Sequence, residues 1–198
     1  MKILLGTTNK GKIEEFNKLF LGLDLEIISL ASLPKVEEPV ENGKNFYDNA
    51  VIKAKFYYEK YQIPVICDDS GLCCDALDGK PGIFTARYAS LDGKDSDPVK
   101  NYMKLLADLE GISDRKAHFE CVMVFYDGNN IISTEGRLDG EIALKPDGVK
   151  GFGYDPVFYL PEFGMTVANL DLNIKNKISH RAKASNKMLE ALKNYINN

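Results

Sequence analysis

The segment AHFECVMVFYDGNNIISTEGR, residues 117–137, gives the strongest secondary-structure signal in the chain. Apolar side chains recur at every second position from Ala117 to Phe125, which predicts a strand with one face in the core. Residues 127–130 are turn formers, so they predict a tight turn into a partner strand that runs from Ile131 to Arg137. We therefore expect a long antiparallel hairpin.

Strand and helix signals alternate on the N-terminal side of this hairpin. Residues 2–6, 25–30 and 64–67 are short apolar runs that predict buried strands. The third run leads into Asp68-Asp69-Ser70-Gly71, which predicts an acidic turn. Parallel strands joined by helices, followed by a hairpin, indicate an α/β protein with a mixed sheet.

Helix ends are marked by capping residues. Asn45 is a good N-cap for a helix that runs toward Tyr61, with an inner stripe at Phe46, Ala50, Ala54 and Tyr57. Asp97-Pro98 opens another helix that ends near Gly111, since proline favours the first helical position. Two more helices are predicted, one in which apolar residues recur from Ile13 to Phe20 and one at residues 180–196.

Composition excludes several classes of protein. The chain has 198 residues, a net charge of -4 and 44% hydrophobic residues, which is too apolar for a disordered protein and too acidic for a general nucleic-acid binder. No apolar run is long enough for a membrane helix, and the apolar stretch at residues 1–6 is too short for a signal peptide. We therefore expect a cytoplasmic protein without a membrane partner. Cys67 and Cys121 lie in apolar runs and are expected to be buried thiols. Cys73-Cys74 has no partner at metal-ligand spacing, so the sequence predicts no zinc site.

The first loop, GTTNKGK at residues 6–12, follows a strand and precedes a helix. It satisfies the spacing of a phosphate-binding P-loop, but Ile13 stands where that motif needs a hydroxyl for magnesium. An anion-binding turn is the better interpretation, because backbone N–H groups at a helix start bind phosphate oxygens. A solvated basic loop is the simpler alternative.

Acidic residues form two groups that could bind a metal or activate water. Asp68 and Asp69 end the third apolar run, where α/β sheets place ligands, and neighbouring carboxylates on a strand point in different directions. Glu37, Glu38 and Glu41 lie in the preceding loop. Magnesium usually takes one or two protein carboxylates, so Glu41 and Asp69 would suffice, but a surface turn and a solvated loop explain the same residues.

Two later motifs combine aromatic and basic residues. Gly151-Phe152-Gly153-Tyr154-Asp155-Pro156 offers aromatic faces and a carboxylate for a nucleotide base, or else a tight turn whose aromatic rings fill the core. Ser179-His180-Arg181 places basic groups at a helix start, which is unfavourable unless an anion binds there.

The motifs stand together in one order: residues 7–12, 68–72, 151–156 and 178–181. This ordered set resembles the inosine triphosphate pyrophosphatase family, the Ham1/RdgB-like non-canonical purine nucleoside triphosphate pyrophosphatases. Residues 45–50 and 81–88 also resemble family segments, so the likeness covers almost the whole chain. It implies an elongated mixed sheet with flanking helices in a single domain of two lobes, around a central nucleotide cleft, usually in a homodimer.

The resemblance also implies a reaction and residue roles. The reaction is hydrolysis of ITP, dITP and XTP to the monophosphate and pyrophosphate, with Mg²⁺ as cofactor and Mn²⁺ as a substitute. Asp69 would be the general base and would bind magnesium together with Glu41, and whether Asp68 or Glu38 shares the metal stays open. The residues expected to bind substrate are Thr7, Thr8, Asn9, Lys10, Gly11, Lys12, Lys53, Ser70, Phe152, Gly153, Tyr154, Asp155, Lys175, His180 and Arg181.

Two segments depart from the family pattern, and other functions remain as alternatives. Gly148-Val149-Lys150-Gly151 replaces a glycine-rich run, and Asn173-Ile174 stands where an acidic pair is common. The alternatives are a Maf-like pyrophosphatase for modified pyrimidine nucleotides, a nucleotide-binding regulatory module without turnover, and a P-loop kinase. A panel of nucleotide substrates would distinguish the Maf-like enzyme from a purine pyrophosphatase. A regulatory module would bind nucleotide without forming product, and a kinase would release ADP or orthophosphate instead of pyrophosphate.

Overall fold

The computed structural model describes residues 1–8, 13, 16, 25–91, 93 and 97–197. The described residues form one seven-stranded sheet in the order β2-β1-β3-β4-β5-β6-β7. The strands are β1 Lys2–Leu5, β2 Glu26–Ser29, β3 Val65–Cys74, β4 Lys116–Tyr126, β5 Ile131–Ile142, β6 Phe158–Leu160 and β7 Met165–Thr166. Strand β1 pairs in parallel with β2 and β3, whereas β6 pairs antiparallel with β5 and β7. The predicted α/β class with a mixed sheet is confirmed.

The described α-helices are α1 Phe46–Tyr61, α2 Pro98–Asp108, α3 Leu172–Ile178 and α4 His180–Ile196. Asn45 caps α1, and its Oδ1 accepts from the Asp48 N–H at 2.8 Å, as predicted. The predicted inner stripe of α1 is buried. Asp97 caps α2 through hydrogen bonds from two backbone N–H groups, and Pro98 is its first residue.

Two sequence predictions about elements were wrong, and one helix was missed. The acidic motif at 68–71 is not a turn, because β3 continues through it to Cys74. Strand β5 extends to Ile142 instead of ending at Arg137, since Leu138 and Ile142 join the core. Helix α3 had no periodic signal in seven residues. Ile13 and Phe16 are helical as expected, and the rest of that predicted helix lies outside the described residues.

The chain divides into two compact units, each with its own core. Unit 1 contains residues 1–69, 121–136 and 181–198, and unit 2 contains residues 70–120 and 137–180. The core of unit 1 consists of Ile3, Leu5, Phe16, Ile66, Cys121, Met123, Phe125, Ala184, Met188 and Leu192. The core of unit 2 is built around Leu72, Cys74, Leu105, Leu109, Ala117, Phe119, Val157, Phe158 and Leu160. All four cysteines are buried thiols, as predicted for Cys67 and Cys121.

Candidate active site

Two carboxylates and an ammonium group converge in unit 1. The Lys53 Nζ lies 3.1 Å from the Asp69 Oδ1 and 3.2 Å from the Glu41 Oε2. The Lys53 and Asp69 side chains are only 13% and 14% exposed, and that of Glu41 is 32% exposed. The three residues that the sequence placed at the metal and substrate are therefore in direct contact.

Helix α1 positions the groups that face Asp69. Lys53 follows Asn49 by four residues, so both side chains lie on the same face of the helix. The buried Asn49 side chain accepts from the Gly43 N–H at 2.8 Å through Oδ1, and its Nδ2 donates to the Asp69 Oδ2 at 3.1 Å. The backbone contact thus fixes which end of the amide faces the carboxylate. Sequence reasoning missed Asn49, although a polar residue in a buried helical stripe was a usable signal.

Lys53 and Asp69 each influence the pKa of the other. Burial raises the pKa of the Asp69 carboxyl above its usual value, while the Lys53 ammonium and the Asn49 amide oppose that rise. Burial alone would lower the pKa of Lys53, but the carboxylates of Asp69 and Glu41 outweigh it and raise the pKa. Lys53 is therefore charged at neutral pH, and Asp69 is a stronger base than an exposed aspartate.

Asp68 faces a different partner from Asp69, as their adjacency in a strand requires. Its Oδ2 lies 3.6 Å from the Arg181 Nε at the start of α4, and both side chains are nearly buried. The two carboxylates therefore contact different helices, which fits the expectation that they do different jobs.

Unit 2 contains a second polar cluster, in the turn at residues 151–156. The buried Asp155 carboxylate accepts from the Phe152 N–H at 2.8 Å and pairs with the Lys175 Nζ at 2.5 Å. The same ammonium lies 4.8 Å from the centre of the Phe152 ring, which is exposed. A cation, a carboxylate and an accessible aromatic face are thus held together by one turn and α3.

Backbone conformation makes this turn possible. Gly151 has a φ of +83°, and a Cβ at this position would lie 2.0 Å from the Asp155 Oδ2. Only glycine permits both the conformation and the close approach of that carboxylate. The buried Tyr154 fills the core, as the simpler interpretation of the motif had it, and its hydroxyl donates to the Thr85 carbonyl oxygen at 2.9 Å. The motif therefore combines a core aromatic with an exposed one.

The other predicted site residues are distributed over both units. In unit 1, Thr7 and Thr8 follow β1, and Asn9, Lys10, Gly11 and Lys12 lie outside the described residues. In unit 2, Ser70 is half-buried in β3, and the His180 ring stacks on Phe119 with centroids 4.9 Å apart. Gly153 has a φ of +61° within the turn.

Comparison with known proteins identifies the family. The model of the Ham1 family matches residues 3–191 of the chain. The chain belongs to the Ham1 family. Members with similar sequences include a dITP/XTP pyrophosphatase of Geobacillus kaustophilus, 45% identical over 96% of this chain and 93% of that protein. Another is the dITP/XTP pyrophosphatase of Aquifex aeolicus, 40% identical over 98% of each chain.

Solved Ham1 structures agree with this fold. The Staphylococcus aureus Ham1 protein superposes with a TM-score of 0.91 at 36% identity, covering 98% of this chain and all of that one. A HAM1 protein from Coxiella burnetii gives a TM-score of 0.90 at 37% identity, covering 98% and 99%. Among the residues the structure describes here, no helix combines the length and apolarity needed to cross a membrane.

Proposed function

We propose that this chain hydrolyses the non-canonical purine nucleoside triphosphates ITP, dITP and XTP to the monophosphate and pyrophosphate. The observation that carries this function is the match to named dITP/XTP pyrophosphatases, at about 45% identity over nearly the full length of both proteins. The chemistry of the two clusters supports the assignment. Removing deaminated purines from the nucleotide pool is the cellular role that follows.

The Asp69 carboxylate takes the proton from the attacking water in this proposal. A general base must be ionised and basic, and burial together with the Lys53 ammonium gives Asp69 both properties. The Asn49 amide holds the second oxygen of the carboxylate, so the proton goes to a fixed position. The contacts with Lys53 and Asn49 hold the Asp69 carboxylate in one orientation, as a general base requires.

The donor set around Lys53 fits magnesium. Glu41 and Asp69 supply hard carboxylate oxygens, and both converge on one cationic group, which indicates a position where positive charge is favourable. When bound, the ion would neutralise charge that develops on the phosphate oxygens. We propose Glu41 and Asp69 as its ligands, and Mn²⁺ as a substitute.

The turn at 151–156 recognises the base in this proposal. The exposed Phe152 ring is a stacking surface, and Lys175, held by Asp155, is a donor that a 6-keto oxygen accepts from. An amino group at that position cannot accept, so ATP could not form this hydrogen bond with Lys175. Thr7 to Lys12 and Arg181 would bind phosphates, with Ser70 and His180 as further substrate contacts.

Pyrophosphate release from ITP, XTP, GTP and ATP, measured across magnesium concentrations, tests the reaction and the two carboxylates. We expect ITP and XTP to be the preferred substrates, Asp69→Asn to abolish turnover at every magnesium concentration, and Glu41→Gln to be rescued by excess magnesium. Activity that survives Asp69→Asn would move the base to Asp68 or Glu41. Failure to release pyrophosphate from all four nucleotides would refute the purine assignment, and modified pyrimidine nucleotides would then be tested.

A second test isolates the base-binding turn. Stacking on an aromatic ring contributes roughly 1–3 kcal/mol, so Phe152→Ala should raise KM for ITP about 5- to 150-fold. Val149→Ala, an exposed apolar residue just before the same turn, is the matched control and should leave KM unchanged. An unaltered KM in Phe152→Ala would remove this ring from the base site.

We also propose that the chain acts as a homodimer in the cytoplasm. Both statements are expectations carried over from the sequence and from the family resemblance. Light scattering of the purified protein should give twice the mass of one chain. The mass of a single chain at working concentration would refute the dimer.

A further inference from the structure

Three side chains with metal-binding atoms meet in unit 2, apart from the clusters described above. Cys73 lies on β3, and His118 and Glu120 lie on the neighbouring β4. Their Sγ, imidazole nitrogen and carboxylate oxygen all lie within 4.8 Å of one another. His118 and Glu120 are two residues apart, so they share a face of β4, opposite the one that Ala117 and Phe119 turn to the core.

The His118 ring has a carboxylate on each side. Its Nε2 lies 3.7 Å from the Glu120 Oε2, and its Nδ1 lies 4.0 Å from the Asp75 Oδ1. The Nδ1 is buried and has no hydrogen-bond partner among the residues that the structure describes. Buried polar atoms are nearly always satisfied, so this arrangement calls for a group that would order the ring.

Carboxylates outnumber cations around the cluster. Those of Glu120 and Asp75 flank the His118 ring, whereas the nearby Arg137 guanidinium is itself paired with Asp139 at 2.7 Å. A cation bound between the thiol, the imidazole and the Glu120 carboxylate would therefore be stabilised by its surroundings.

We propose that Cys73, His118 (through Nε2) and Glu120 bind one ion of the Zn²⁺ class, and that the ring then shifts so that the 4.0 Å between its Nδ1 and the Asp75 Oδ1 closes to a hydrogen bond. Sulfur, nitrogen and oxygen from three residues are a donor set of zinc, and tetrahedral coordination places such atoms roughly 3.3–3.6 Å apart. The 3.7 Å between the His118 Nε2 and the Glu120 Oε2 is close to that spacing. Binding converts the Cys73 thiol to a thiolate and releases its proton to solvent.

The donor chemistry separates this site from the proposed magnesium ligands. Thiolate and imidazole favour zinc and cobalt, whereas an all-oxygen set favours magnesium. The carboxylate of Asp75 would play the part that carboxylates commonly play behind a metal-bound histidine, fixing the ring and its tautomer. The ion would join β3 to β4 and stabilise unit 2, independently of the hydrolytic reaction.

The test uses the full chain, stripped with EDTA and then held in saturating magnesium. Zn²⁺ is titrated against a competing chelator, and Co²⁺ is titrated while its absorption is recorded. We expect one equivalent per chain and a thiolate-to-cobalt charge-transfer band. Cys73→Ser should abolish the band, and Cys73→Ser and His118→Gln should each weaken Zn²⁺ binding at least about 100-fold. Asp75→Asn should weaken it about 10- to 100-fold.

Cys74→Ala is the matched control, because this neighbouring thiol is buried in the core cluster of unit 2. It should keep both the band and the affinity. The proposal is overturned by the absence of stoichiometric binding, by binding that both Cys73→Ser and His118→Gln retain, or by a band that Cys74→Ala removes. His118→Gln decides if Cys73→Ser does not fold. Pyrophosphate release should be unchanged in Cys73→Ser and in His118→Gln. Failure of the zinc proposal would therefore leave the proposed hydrolytic function intact, and the reverse also holds.

Discussion

Replacing Lys53 with methionine tests whether one ammonium group holds the two carboxylates of unit 1 together. Methionine keeps most of the length and apolar volume of the lysine stem, so the packing of α1 is preserved. The change removes the cation from Asp69 at 3.1 Å and from Glu41 at 3.2 Å. Two like charges then remain close together, and among the contacts of the described residues the Asn49 amide is left to compensate one of them.

The magnitude follows from burial. Removing one partner of a fully buried ion pair costs about 3–5 kcal/mol. The Lys53 and Asp69 side chains are 13% and 14% exposed, but the Glu41 side chain is 32% exposed and partly screened. We therefore expect Lys53→Met to lower the free energy of unfolding by about 2–3 kcal/mol. For a chain of this length that corresponds to a Tm lower by about 4–12 °C.

The assay is thermal and urea unfolding in EDTA and in excess magnesium, at one ionic strength. Magnesium is proposed to neutralise the same two carboxylates, so it should stabilise Lys53→Met more than the wild type. The difference in free energy of unfolding between the two proteins should therefore be smaller in magnesium than in EDTA. Lys55→Met, an exposed lysine on the same helix, is the control and should change stability by less than about 0.5 kcal/mol.

Two results would contradict this reasoning. If Lys53→Met unfolds at the wild-type temperature in EDTA, the two ion pairs contribute nothing to stability. If magnesium leaves the difference unchanged, Glu41 and Asp69 do not form the proposed metal site.

Three further predictions concern backbone and capping contacts. Asp97→Ala should cost about 1 kcal/mol in urea unfolding, because two N–H groups at the start of α2 lose their cap. Gly151→Ala should cost about 1–3 kcal/mol and raise KM for ITP, since the new Cβ displaces the Asp155 carboxylate. Burial acts to raise the pKa of Asp127, but hydrogen bonds from its own turn and from Tyr195 outweigh it and lower the pKa. Asp127→Asn should therefore be less stable than the wild type above about pH 4, and the difference should shrink as the pH falls.

Local signals predicted α1, α2 and α4, and the capped starts of α1 and α2, but not α3. Asn45 and Asp97 cap their helices as expected, because an N-cap is defined within a few residues of sequence. The strand ends were less predictable. Strand β3 lies between β1 and β4 in the sheet and continues past Asp69, and such sheet pairing is a long-range property that a local sequence pattern does not contain.

The candidate site was predicted in part. The family resemblance implied roles in one function for Glu41, Lys53 and Asp69, and the structure brings Lys53 into contact with both carboxylates. Asn49 was missed because its role depends on the buried environment between α1 and β3. The cluster around Cys73 was excluded by sequence spacing, since its histidine lies 45 positions away on another strand.

The alternation of β3 explains how two adjacent pairs of identical residues acquire different environments. Asp69 and Cys73 share one face of the strand, where they contact Lys53 of α1 and lie beside His118 of β4. Asp68 and Cys74 share the other face, where they meet Arg181 and the core of unit 2. A shift of one residue in the pairing of β3 would move the side chains of both pairs to the opposite faces of the sheet. Asp69, the proposed base, would then leave the face of Lys53 and lie on the face of Arg181. The pairing register of β3 therefore decides which aspartate faces Lys53.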